Sequence, residues 1–459
     1  MADLSVETTD IPGLLVIRMP VHGDARGWFK ENWQRQKMTA LGLPDFGPVQ
    51  NNMSFNAHRG ATRGIHTEPW DKMVSVGTGR VYAAWVDMRE GDTFGTTVSL
   101  ELDPEVAVFV PRGVGNSYQA LEDNTLYSYL VNDHWRPGIA YPALHLGDAS
   151  AAIPWPIPLD EAEISEKDTK NPSLEDVTPL PARRPVVLGA GGQLGQALLA
   201  ALPDAVGLTR ADLDLADAEA VAAFPWRDHD VVINAAAWTA VDDAETPGGR
   251  PGAWLANASA PATLAALSRK HGFTLVHVSS DYVFDGSQET HTEAEPLSPL
   301  GVYGQSKAAG DLAVAGAPRH YLIRTSWVIG EGKNFVRTMQ SLAERGISPG
   351  VVADQHGRLT FTSDLADAIR HLVSTRAPFG TYNVTSDGPI VTWADIAKRV
   401  FELSGRSADD VAEVSTAEYG QGKNLAPRPV HSALSLEKIK ATGYLPRNMD
   451  DALVAYCRS

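Results

Sequence analysis

The stretch from Pro185 to Gly195 constrains this chain more than any other. An apolar run, Val186-Val187-Leu188, enters a cluster of glycines at Gly189, Gly191, Gly192 and Gly195, and Gln193 to Ala200 then reads as a helix. The order is strand, tight turn, helix. Glycine lets the backbone turn sharply and approach a diphosphate, whose charge sits at the positive end of the following helix. The same pattern fits an ordinary βα turn, but a strand before it and a helix after it favour a dinucleotide site. Gly189, Gly191, Gly192, Gln193, Leu194 and Gly195 would surround the phosphates. About 180 residues precede this turn, although such a fold normally starts near an N-terminus. Those residues must form a structure of their own.

A length of 459 residues predicts two or three domains. No apolar run is long enough to span a bilayer, and Met1 to Ser5 lack the basic and apolar regions of a signal peptide. The single cysteine, Cys457, excludes an intramolecular disulfide and a cysteine-based metal cluster. These features predict a cytoplasmic protein without a membrane partner. A net charge of −17 argues against nucleic acid as a partner. An anionic small substrate would need arginines and lysines placed against that field.

From Leu14 to about Leu130 the chain reads as short strands broken by Gly77-Thr78-Gly79, Arg89-Glu90-Gly91-Asp92 and Pro111-Arg112-Gly113. Regular short strands with little helix predict an all-β sandwich or jelly roll. Metal-binding jelly rolls cluster histidines, usually as His-x-His, whereas His66 is followed here by Thr67-Glu68, so no metal is expected. The polar motifs are more specific. Asp24-Ala25-Arg26-Gly27-Trp28-Phe29-Lys30-Glu31, Gln50-Asn51-Asn52, Arg63-Gly64-Ile65-His66 and Ser165-Glu166-Lys167-Asp168 together resemble the dTDP-4-dehydrorhamnose 3,5-epimerase family over about residues 8–175.

The resemblance implies a metal-free cupin-like jelly roll acting on a dTDP-linked 4-keto-6-deoxy sugar. His66 would be the base, Asp168 its orienting partner, Lys72 the cation beside the enolate and Tyr129 the proton donor. Arg26, Glu31, Gln50, Asn52, Arg63 and Lys167 would grip nucleotide and diphosphate. The residue types suit the chemistry. Protons beside a ketone yield to a base of near-neutral pKa if the enolate is stabilised, and a tyrosine on the opposite face can return the proton. A lone strand-end histidine is usually structural; Arg63 before His66 and Lys72 after it favour the base. Two departures stand out. Asn116, in Gly113-Val114-Gly115-Asn116, replaces a histidine and can hydrogen-bond but not carry a proton at neutral pH. Ala140-Tyr141-Pro142-Ala143 lacks an expected acid. A single-centre epimerase or a noncatalytic sugar-nucleotide binding module is therefore the alternative. The resemblance also allows a homodimer through this domain.

Residues 169–185 carry four prolines and few apolar side chains, and read as an extended spacer. We divide the chain into residues 1–175, a linker at 176–184, and residues 185–459. After the glycine turn, strands and helices alternate, which predicts a Rossmann-type α/β domain: a doubly wound parallel sheet, here with a small C-terminal substrate-binding part. The second strand, Ala205 to Arg210, ends on an arginine where an acid would favour NAD. Arg210, counted with Asp214 among the cofactor contacts, suits the 2′-phosphate of NADPH and leaves NADH open. Asp230 to Thr239 reads as a buried strand ending in small residues, with Ala235, Ala236 and Ala237 letting a cofactor lie across the strand end.

Leu275 to Ser280 is another strand, and Tyr303 and Lys307 stand four apart on a helix, hence on one face. An ammonium beside a phenol is expected to lower the tyrosine pKa. Tyr303 would protonate the alkoxide formed from a ketone while Ser280 hydrogen-bonds the same oxygen. These motifs resemble extended short-chain dehydrogenase/reductases, and within them the dTDP-4-dehydrorhamnose reductase family, on Asn234 to Asp242, Ser279 to Gly286, Arg324-Thr325-Ser326-Trp327, Val352 to Gly357 and Arg428 to Leu434. The resemblance implies that Asp281, Trp327 and Arg428 help hold the sugar nucleotide. Ser280 replaces the usual threonine, and Arg358-Leu359-Thr360 stands where a Pro-Thr pair is usual. The combined expectation is a bifunctional enzyme: epimerisation beside a C4 ketone, then NADPH-dependent reduction of that ketone.

Overall fold

A computed structural model describes residues 3–135 and 141–458, so Met1 and Ala2 of the N-terminal reading and Ala140 of the departing segment lie outside it. The chain divides between Ala182 and Arg183 into two compact units.

In the first unit, the alternation of β-branched and aromatic residues with polar ones builds two facing sheets. One holds six strands, in the order Ser5–Thr8, Leu15–Arg18, Val106–Val110, Lys72–Thr78, Thr125–Val131 and Gln50–Asn56. The other holds five: Glu163–Ile164, Ala61–His66, Val114–Ala120, Val81–Asp87 and Thr97–Leu102. Pairing is antiparallel except where Glu163–Ile164 runs parallel to Ala61–His66. Val74, Val76, Val108 and Val110 from one sheet meet Val81, Ala83, Trp85 and Tyr118 from the other in a shared apolar core. This is the expected jelly-roll class.

The proline-rich segment departs from the extended spacer. Leu174 and Val177 are buried, and Leu180 donates its N–H to Met88 O at 2.7 Å and accepts from Glu90 at 2.9 Å. The few apolar residues between the prolines dock on the first unit, so residues 174–181 belong to its surface rather than to a free tether.

The second unit has a six-stranded, all-parallel sheet in the order Val206–Leu208, Val186–Leu188, Val231–Asn234, Thr274–Ser280, His320–Thr325 and Gly380–Asn383. Helices Gln193–Ala201 and Thr362–Ser374 pack Leu198, Leu365, Ile369 and Leu372 on one face; Leu264 and Val314 cover the other. A smaller core of Val336, Met339, Ile396, Val400, Phe401 and Leu453 forms beside short two-stranded ribbons. Among the described residues no helix is long and apolar enough to cross a membrane.

The glycine turn sits where the first strand of this sheet ends. Gly189 has φ +80°, and a Cβ there would meet Ala236 N at 2.7 Å. A Cβ on Gly195 would press on the carbonyl of Gly189 and lie 2.7 Å from Ala190 Cα. Both obstacles are backbone, which cannot rotate away. Gly195→Ala should therefore destabilise the second unit by about 2 kcal/mol or more, as expected for overpacking against fixed atoms. Thermal unfolding should show that unit melting earlier while the first unit's transition stays put.

Candidate active sites

In the first unit a cavity of about 760 Å³ opens between the sheets and is lined by Arg63, His66, Lys72, Asn116, Tyr129, Lys167 and Asp168, together with Glu68 and Tyr118. His66 ends its strand with a half-exposed ring, and its Nε2 lies 2.7 Å from Asp168 Oδ1. Asp168 begins a short 3₁₀ turn and is buried; its other oxygen faces Gly64 N at 3.4 Å. A buried carboxylate on one imidazole nitrogen fixes the tautomer of the ring. Lys72 is buried and ion-paired with Glu68, four residues earlier. Burial and the nearby Glu68 push the Tyr129 phenol above its ordinary value, so it keeps its proton. Arg63 donates to Asn56 Oδ1 at 3.1 Å.

Four expected ligands of the nucleotide lie apart from this cavity lining. Arg26 sits on an exposed hairpin against Asp24, at 2.6 Å, and Glu31 pairs with Lys37, also at 2.6 Å. Gln50 bonds Asn52 at 2.6 Å and His134 at 2.6 Å. The strand Gln50–Asn56 is a sheet edge, with Met53 67% and Phe55 57% exposed.

In the second unit, strand Thr274–Ser280 delivers Ser280 at its end, and helix Val302–Ala315 carries Tyr303 and Lys307. The helix start is held from outside: Glu245 Oε1 accepts the Val302 N–H at 2.7 Å, because Gly301 offers no side-chain cap. Ser280 Oγ lies 2.9 Å from Asp281 Oδ1 and within hydrogen-bonding reach of the Tyr303 phenol. Lys307 Nζ donates to Val278 O at 2.7 Å, and burial pulls it down to about 8 despite Asp311.

One expectation is corrected here. Tyr303 is pushed up to about 12 rather than lowered: burial dominates, Ser280 opposes it, and Asp281 adds to it. Lys307 Nζ directs a hydrogen bond to the Val278 carbonyl. Tyr303 therefore stands as a protonated acid across the neutral range.

Around the turn, Gly191 and Gly192 are exposed, and Gln193 Nε2 reaches Lys333 O at 3.1 Å. Leu194 packs partly buried against the core, and Ala235 also touches it; Ala236 N bonds Asn234 Oδ1 at 3.2 Å, with Ala237 following. This cradle of exposed backbone at a helix N-terminus fits a dinucleotide diphosphate. Arg210 is 82% exposed and pairs with Asp214 at 3.2 Å, at the surface end of the second strand. Trp327, at φ +46°, stacks on Trp393 at 4.0 Å. Arg428 is clasped by both Asp242 oxygens at 2.9 and 3.0 Å, so its fork is already engaged. Arg358, in the departing segment, donates to Gly388 O at 2.9 Å and Leu434 O at 3.2 Å and ties three loops together.

Sequence reasoning missed three supporting groups. Glu68 was adjacent to the motif but unassigned. Asp311, one turn beyond Lys307 on the same helix face, forms a buried ion pair with Arg324 at 3.0 Å; its four-residue spacing was the available signal. Glu245 had none, since its role depends on a loop meeting a distant helix.

A parallel sheet with a glycine turn, a serine at a strand end and a tyrosine–lysine pair on the next helix defines the short-chain dehydrogenase/reductase class; the jelly roll with a His–Asp pair in its cavity defines a second class beside it. Residues 183–458 match the family described as RmlD substrate binding domain and residues 8–176 match dTDP-4-dehydrorhamnose 3,5-epimerase, and the chain belongs to both families. It is 47% identical over 181 residues to an RmlC homolog of Streptococcus pyogenes, covering 38% of this chain and 91% of that protein. It is 36% identical over 289 residues to a dTDP-4-dehydrorhamnose reductase of Aggregatibacter actinomycetemcomitans, covering 59% and 97%. The structure of the Bacillus anthracis dTDP-4-dehydrorhamnose reductase, in complex with NADP, has a TM-score of 0.56 and 32% identity, covering 60% of this chain and 99% of that one.

Burial dominates Asp281, raising it to about 6 against hydrogen bonds from Ser432 and Ser280. Its folded pKa exceeds the unfolded one, so its contribution is fully favourable below about pH 4 and is lost as pH rises through 6. Asp281→Asn keeps an acceptor for Ser280 and removes the charge. Its stability relative to the parent should be near zero at pH 4 and should rise by on the order of 2 kcal/mol by pH 7.5. Denaturant midpoints across that range measure the difference.

Proposed function

We propose that the chain is a bifunctional enzyme that epimerises a dTDP-linked 4-keto-6-deoxy sugar at C3 and C5 and then reduces its C4 ketone with NADPH, in the synthesis of dTDP-L-rhamnose. The observation that carries the reading is the 2.7 Å His66–Asp168 contact beside Lys72 in the cavity of the first unit. In this reading His66 removes the proton next to the ketone, and the resulting imidazolium is held by Asp168. Lys72 faces the enolate oxygen, and Tyr129 returns a proton from the other side. Each centre inverts when removal and return occur on opposite faces.

In the second unit NADPH, when bound, supplies the hydride. Tyr303 gives its proton to the oxygen at C4, Ser280 orients that oxygen, and Lys307 provides positive charge beneath it. Gly189 to Gly195 cradle the diphosphate and Arg210 meets the 2′-phosphate, released from Asp214. Asp281, Trp327 and Arg428 hold the sugar nucleotide. We place the enzyme in the cytoplasm, as a homodimer through the exposed edge strand of the first unit. Arg26, Glu31, Gln50 and Asn52 then serve the nucleotide end of a site completed by dimer formation.

Incubation with dTDP-4-keto-6-deoxyglucose in D₂O should introduce deuterium at C3 and C5 without NADPH, and NADPH should then be consumed. Tyr303→Phe should lower NADPH oxidation by at least about 10²-fold, the usual worth of a general acid, and leave exchange intact. His66→Ala should abolish exchange at both carbons. The reading fails for the first unit if His66→Ala exchanges normally, and for the second if Tyr303→Phe oxidises NADPH at the parental rate.

A further inference from the structure

The first-unit cavity holds a polar group whose orientation is fixed from behind. Asn116 lies on strand Val114–Ala120, directly opposite His66 on one neighbouring strand and Trp85 on the other. Its Oδ1 accepts from Trp85 Nε1 at 2.9 Å and from the Tyr127 hydroxyl at 3.1 Å. Trp85 belongs to the same sheet, Tyr127 to the facing one, and both are buried. An indole nitrogen can only donate, so the amide oxygen must face it, and the amide cannot flip. Burial holds the Tyr127 phenol well above its ordinary value, which keeps this hydroxyl protonated as well. Two donors use both lone pairs of Oδ1 and leave the Nδ2 protons for the cavity that Asn116 lines with His66 and Lys72. Among the described residues no protein acceptor takes them.

Lys72, by contrast, shares its charge with Glu68 inside the same cavity. A neutral donor without a competing acceptor is what a transient oxyanion can use, because it costs no reorganisation when charge appears. We propose that Asn116 is a catalytic residue of the first unit, donating through Nδ2 to the ketone oxygen as His66 removes the neighbouring proton. Trp85 and Tyr127 are the positioning residues that aim it. In the step, the C–H electron pair moves into the new C=C bond, the carbonyl π pair moves onto oxygen, and the proton rests on His66. Asn116 carries no proton through the cycle, so its replacement of a proton-carrying side chain changes the site from proton relay to oxyanion support.

This rests on the epimerase reading, and the test separates the two. Exchange at C3 and C5 is followed in D₂O by NMR for the parent, Asn116→Asp and Tyr127→Phe, with dTDP affinity measured by calorimetry as the control for a folded site. Asn116→Asp can accept from both Trp85 and Tyr127 but cannot donate. It should bind dTDP within threefold of the parent and exchange about 10²-fold more slowly, in kcat rather than KM. Exchange within threefold of the parent, with dTDP still bound, overturns the proposal and leaves the epimerase reading standing. Absence of exchange in the parent itself defeats that reading and the proposal with it. Should Asn116→Asp fail to bind dTDP, Tyr127→Phe decides, since it removes one of two restraints from behind the site. A loss of about tenfold in kcat with unchanged KM supports the proposal, and parental kcat overturns it.

Discussion

Both sites depend on the same constraint: a charge taken out of water must find a partner where it is buried. Lys72 meets Glu68, Asp168 meets His66, and Asp311 meets Arg324. Lys307, buried as deeply, donates to a strand carbonyl, and its burial lowers its proton affinity. Unpaired, any of these groups would cost several kcal/mol. The folds bring the partners together from distant parts of the sequence: 102 residues separate His66 from Asp168, and the segment that ends on Asp168 closes the cavity edge. The sheets supply rigidity, and the buried pairs set which protons are held.

In both units the environment decides which phenols keep their protons: Tyr129 and Tyr303, both desolvated, hold theirs. The effect on Tyr303 runs opposite to the simple expectation for a lysine four residues away. Spacing puts two side chains on one helix face, but it does not say where the ammonium points. Here it points to Val278 O, and burial wins.

Much of this was legible in the sequence because the relevant signals are local. The glycine turn, strand 274–280 with Ser280 at its end, and Tyr303 with Lys307 follow from short-range periodicity. The alternating strands of the first half gave the jelly roll for the same reason. What sequence could not supply was pairing across sheets. Asn116 reads as a lost proton carrier until Trp85 and Tyr127 are seen behind it. Nothing in the sequence shows Asp242 clasping Arg428 from 186 residues away. The proline-rich joint looked extended because prolines dominate it; three apolar residues, Leu174, Val177 and Leu180, were enough to dock it. Glu245, capping a helix from another loop, left no mark in the sequence at all.

The central claim is that two independent clusters act in succession on one ketone. Mixing two crippled proteins tests it most directly. His66→Ala and Tyr303→Phe, each supplied alone with dTDP-4-keto-6-deoxyglucose and NADPH, should yield almost no dTDP-L-rhamnose. Mixed in equal amounts they should restore its formation, with solvent deuterium at C3 and C5 of the product when run in D₂O. A mixture no more active than its better component would contradict the account.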